Sequence, residues 1–293
     1  LRGSIGRVHF PPASDKTNAA AVVLTPTELR SLTVPVDLTK FGLGEMLRCS
    51  LAIRRVARNE ATMEATARRI ARYFYDELVT PEGDRACALV RCYKTHAFGS
   101  MPDDLRRFAK RALKASDTEI TVTDAMRCLT LLATVGDEPS WNARHLSKGH
   151  QAIPLPSPQI VQRAPMISQL INEFGLSLSD VLQPSADVMR RMQGKTYGVF
   201  HVAEAAGSEY IPAQSQFVER YGIRSVVGFG GSLVDGELFA VILFTRTLIS
   251  EEIADRFRTV ALDVKGCLVP FTDAEVFDAP GSVRADPDVQ PRV

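Results

Sequence analysis

The chain has 293 residues, enough for one large or two ordinary domains, with 45% apolar and 24% charged residues. That composition excludes wholesale disorder, collagen-like repeats and a bundle of membrane spans, since no window approaches the roughly 20 apolar residues a spanning helix needs. Lys+Arg 35 against Asp+Glu 34 leaves a formal charge of +1, so no global field favours nucleic acid or an anionic membrane as partner.

The opening Leu1-Arg2-Gly3-Ser4 stands in place of a methionine and reads as a piece of a longer protein. It lacks the basic, apolar, small-residue order of a secretory signal, and the chain is expected to be cytoplasmic. Residues 1–40, with Pro11, Pro12, Pro26 and Pro35, read as a flexible leader. From residue 43 to 58, Leu43, Leu47, Leu51 and Arg54 share a face, with Met46, Ile53 and Val56 close by, as an amphipathic helix would place them. A second helix is expected over 60–79 on Met63, Ala67, Ile70, Phe74 and Leu78, with Asn59 as cap or kink between the two.

A turn at Pro81, Gly83 and Asp84 precedes a strand over 86–93, and 101–113 reads as an amphipathic helix. Residues 127–134 form a short apolar run suited to a buried strand. After a long polar excursion, 159–174 returns as a helix stopped by Gly175. Three strands follow, over 197–203, 223–230 and 237–245, the last two joined by an Asp235-Gly236 hairpin turn. A helix over 250–268, capped by Ser250, closes the domain, which is expected to span 41–272 with 273–293 as linker or tail. Strands and helices do not alternate strictly, so the expectation is an α+β fold: a central antiparallel sheet with flanking helices, extended by a long loop-helix insertion.

The helix ending in residues 65–78, the strand Ala-Cys-Ala-Leu-Val-Arg at 86–91, the hairpin Ser-Val-Val-Gly-Phe-Gly-Gly to Glu-Leu-Phe-Ala-Val-Ile-Leu-Phe at 225–244 and the closing helix together resemble a GAF domain. The resemblance covers about residues 44–270. It implies a GAF/PAS-like sheet, terminal helices that pair into a homodimer, and a small-molecule pocket on one sheet face. It also implies a role as an input module ahead of an effector such as a kinase, phosphatase or cyclase.

The stretch 136–158 holds the only tryptophan, Trp141, with His145, His150 and a proline-rich run that restricts the backbone. An aromatic ring and two imidazoles suit a flat ligand; the alternative is that Trp141 anchors the excursion while both histidines face solvent. His145 and His150 are five apart, where a zinc hydrolase helix wants four with an intervening Glu, so that chemistry is not supported. His96, His201, Arg91 and Tyr210 complete the candidate ligand contacts, and whether a cofactor such as a haem, or a metal, is bound stays open. Gly228, Gly230 and Gly231 lie between strands, where no helix start meets them, so they are read as a twisted strand with room for a close neighbour rather than a phosphate loop. Five cysteines (Cys49, Cys87, Cys92, Cys128, Cys267) lack metal-site spacing and read as buried thiols. No catalytic constellation stands out. Two further readings stay open: a thiol-dependent redox enzyme using Cys87, Cys92 or Cys128, and a dimerisation module without ligand.

Overall fold

Alternating and fully apolar runs in the second half of the chain dictate strands whose two faces must both be covered. A computed structural model describes residues 34–115, 120–184, 197–272 and 274–279, and its core is a six-stranded antiparallel sheet. The strands are β3 (Cys87–Ala97), β4 (Arg127–Gly136), β5 (Ala152–Leu155), β6 (Tyr197–Val202), β7 (Ser225–Ser232) and β8 (Leu238–Thr245), in the order β5-β4-β3-β8-β7-β6. Two short strands, β1 (Val36–Asp37) and β2 (Leu78–Val79), pair in parallel beside it. This is the expected α+β architecture, with the insertion between β4 and β6 carrying, among the described residues, β5 and three short α-helices.

One face is covered by α1 (Leu43–Val56), α2 (Met63–Glu77) and α7 (Glu251–Leu268), packed through Phe41, Phe74, Phe229 and Phe257. Thr62 and Ser250 cap α2 and α7 by accepting from Ala65 N at 3.0 Å and Ile253 N at 3.3 Å. The opposite face is covered by α4 (Pro158–Val161), α5 (Pro165–Glu173), α6 (Leu178–Leu182) and a π-helical turn at Gln214–Glu219. A third cluster seats α3 (Asp103–Lys114) at the end of the sheet, on Cys128 and Ala152. No helix among the described residues is long and apolar enough to cross a membrane.

Several expectations shift for identifiable reasons. The helix expected over 159–174 is broken into α4 and α5, because Pro165 disfavours helical backbone at Ala164 before it. Strand β5 contains Pro154, opposite Cys128, and is tolerated because β5 is an edge strand with no outer neighbour to receive the missing N–H. Asn59 takes a left-handed φ of 63°, ending the α1 segment, and Gly175 (72°) and Gly236 (79°) do the same at the expected stop and turn.

Cys87 and Cys92, five positions apart, would face opposite sides of a regular strand. Both instead belong to the α1/α2/α7 core, because the pairing of β3 with β8 slips at Ala88 and the bulge restores one face. The ordered body also starts earlier than residue 41: Val36 and Leu38 are buried at 1% exposure. Past residue 272, Met63 N and Glu64 N donate to Glu275 O and Val276 O at 3.2 and 2.8 Å, so residues 274–279 strap across the start of α2. Along α1 the buried stripe is Met46, Cys49 and Ile53, whereas Leu43, Leu47 and Leu51 are 68%, 59% and 64% exposed.

Candidate functional site

Strand β3 is central in the sheet, and from Cys87 to His96 every residue is buried except Arg91. Arg91 alone in this run keeps partial access to solvent. Arg91 pairs across β4 with Thr134 and across β8 with Ile242, and paired residues share a face, here the one bearing Leu89, Tyr93 and Ile242. Its Nη1 lies 3.4 Å from Tyr93 Oη, while its Nε is buried with no partner. Thr134 Oγ1, directly opposite, is also buried without a partner.

The next pair along the ladder, about 7 Å away, is Leu89 with Gly136. Trp141 lies over it: a Cβ on Gly136 would stand 2.7 Å from Trp141 Cε3, so only glycine admits the indole here. The indole is held by Tyr221 and Phe217, with ring centroids 4.6 and 5.7 Å away. Asn142 secures the turn beneath by donating from Nδ2 to Gly136 O and Glu138 O at 2.8 and 2.9 Å.

His150 completes the group. Its surface is exposed, yet its imidazole is pushed down to about 4, by desolvation first and the Arg91 charge second. The chain holds it beside this face, because Gln151 O, next in sequence, accepts from Leu131 N at 2.9 Å and Leu131 pairs with Tyr93; the ring is neutral at pH 7. In the same loop Ser147 is buried with an unpartnered Oγ.

Three of the seven candidates, Arg91, His150 and Trp141, are thus neighbours on one face. Tyr210 packs edge-on against Phe200 of β6 on the same face but at the far edge of the sheet, 5.4 Å between centroids. His145 is exposed, and only its carbonyl is engaged, by Gln151 Nε2 at 3.1 Å. His201 pairs with Val227 on the opposite face, beneath the start of α7, where burial lowers its pKa. Thr134 and Tyr93 are the members sequence reasoning misses; an arginine inside an apolar strand marks them only once the register is known.

His96, at an odd offset from Arg91, faces away from this group into a cleft of about 1050 Å³, lined among others by Lys94, Asp103, Arg144, Glu237 and Phe277. That cleft is therefore separate from the Arg91 face. Thr130 Oγ1 donates to Lys94 O at 2.9 Å and so accepts from His96 Nδ1 at 2.6 Å. The imidazole is the Nδ1–H tautomer, and its Nε2 lone pair is buried without a partner under the ring of Phe277, 5.1 Å away.

Burial, then the Lys94 charge, holds the His96 pKa well below its ordinary value. The folded state therefore binds fewer protons than the unfolded one below about pH 6.5, and stability falls as pH falls. Urea denaturation is expected to show stability falling as the pH is lowered from 6.5 to 5, with His96 contributing to the loss. His96→Asn should make that slope shallower, with His150 and His201 supplying the remainder; an unchanged slope would place the protonation wholly on those two.

The thiols do not support redox chemistry. Burial raises Cys49, Cys87, Cys92 and Cys128 to about 12, far from the depressed values a nucleophilic thiolate needs. Among the described residues no group of three or more His, Cys, Asp or Glu side chains is placed to hold a metal ion.

No protein-family model matches the chain, and no curated protein matches it. Among solved structures it is similar to the N-acylhomoserine lactone-dependent LuxR-family transcription factor CepR2 from Burkholderia cenocepacia, at 12% identity and a TM-score of 0.34, covering 77% of this chain and 97% of that one. At that level of overlap the site rests on its own residues.

Proposed function

We propose that the chain is a GAF-like sensory module that binds a small molecule on the open sheet face around Arg91, between Trp141 and the His150 loop. Occupancy would pass through the terminal helices to an effector such as a kinase, phosphatase or cyclase. The observation that carries this reading is Arg91 itself, half-buried in mid-sheet with an orphaned Nε beside the orphaned hydroxyl of Thr134. Buried polar groups are normally satisfied, and two adjacent exceptions at a half-buried guanidinium are the pattern of a site that awaits a partner.

The exposed leucines at i, i+4 and i+8 of α1 support a homodimer through the terminal helices, since such a stripe is unfavourable in water. They equally favour the second reading, a dimerisation module without ligand. Native mass spectrometry of the freshly purified chain, compared with its denatured mass, separates the two. A dimer with a consistent extra mass that Trp141→Ala loses while remaining folded is the expected result. A bare dimer that gains no mass from any metabolite extract would remove the ligand and leave dimerisation alone.

A further inference from the structure

The reading above leaves the ligand's chemistry open, and the surroundings of Arg91 narrow it. A guanidinium is charged at every accessible pH, and sheltering one without a counter-ion is costly. Among the described residues no carboxylate lies within ion-pair distance of Arg91, and its one polar contact is the long approach to Tyr93 Oη. His150, whose pKa the Arg91 charge helps to lower, is neutral and supplies no negative charge.

With Nη1 turned to Tyr93, the edge formed by Nε and the other terminal nitrogen remains, and two parallel N–H groups on that edge match the two oxygens of a carboxylate. Around it stand Leu89, Leu131, Ile242 and Trp141, which suit an apolar body and not a hydrated polyanion. Resting on the sensory reading, we infer that the ligand of this face is an organic carboxylate: its head on the Arg91 edge beside Thr134, its apolar body under Trp141.

The test uses the intact chain, with benzoate and benzamide as probes of equal shape and different charge, followed by thermal denaturation and calorimetry. Saturable stabilisation by benzoate is expected, with at least a tenfold weaker response to benzamide. Arg91→Lys should weaken benzoate binding and Arg91→Met abolish it. In the absence of any probe, Arg91→Met should raise the denaturation midpoint, because it replaces an uncompensated charge with an apolar chain of similar length.

A lower midpoint for ligand-free Arg91→Met would overturn the inference by making Arg91 a structural support. Equal binding of the two probes, or of benzoate to wild type and Arg91→Met, would overturn it as well. A neutral molecule found retained on the purified chain would overturn the carboxylate while leaving the sensory reading intact. A chain that binds neither probe and retains nothing would take both down.

Discussion

Phe257→Ala is expected to cost about 3–5 kcal/mol of folding stability, the range for removing a fully buried phenylalanine. Phe257 has no exposed surface and stacks on Phe41 with centroids 4.7 Å apart and planes 8° from parallel. It also lies 5.1 Å from Phe229 and 6.5 Å from Phe74. One ring therefore joins α7, the segment before α1, strand β7 and α2, and its loss opens a cavity that four rigid elements cannot all collapse into. The aromatic contacts add about 0.5–1.5 kcal/mol per pair beyond area burial. Urea denaturation should show a lower midpoint with an unchanged slope, whereas Leu262→Ala, on the 48%-exposed face of the same helix, should fall within about 0.5 kcal/mol of wild type. A loss below about 2 kcal/mol for Phe257→Ala would mean that the cluster relaxes around the gap. Because α1 and α7 are the helices proposed to carry the signal, the same variant should also loosen their coupling to the sheet.

How much of this was legible beforehand depends on the range of the interaction. Elements with local periodicity stand near where their residues place them: α2 on Met63, Ala67, Ile70 and Phe74, β8 on its apolar run, and the hairpin on Asp235-Gly236. Elements made by pairing were hidden. Strand β5 carries Pro154 and only four residues, so nothing local distinguishes it from a loop, and its identity comes from β4 beside it. The glycines of β7 were read as room for a close neighbour, and at Gly230 the neighbour is backbone: a Cβ there would stand 2.1 Å from Phe239 O of β8.

The candidate site was legible in part for the same reason. Trp141 and His150 stand out as unusual residues in an unusual loop, and Arg91 as a charge in a strand. Which of the histidines meet them depends on strand parity and on register. His96 shares a strand with Arg91 but points to the other side, and Thr134 joins only because the β3–β4 ladder places it opposite.

Glu64→Ala is expected to cost about 3 kcal/mol, for a different reason: it leaves a largely buried arginine without its counter-ion. The Glu64 carboxylate is 7% exposed and accepts from Arg144 Nε at 3.1 Å and from Asp278 N at 3.0 Å, so one side chain ties the insertion loop and the C-terminal strap to α2. Arg144 also reaches Asp104 at 3.1 Å, but that acid is 48% exposed and contributes little in solvent. The Arg144 guanidinium in turn lies 5.4 Å from the Phe277 ring that covers His96. Loss of Glu64 should therefore release the strap as well as lower stability. Under native conditions, diethyl pyrocarbonate followed by peptide mass mapping should modify His96 slowly in wild type and several-fold faster in the variant, with exposed His145 as the internal reference. Replacing both partners, Glu64→Leu with Arg144→Met, should recover most of the stability, because an apolar pair has no stranded charge. If His96 stays equally protected in Glu64→Ala, the strap is held instead by the bonds from Arg68 and Thr62 to Asp278, and those become the contacts that govern access to the cleft.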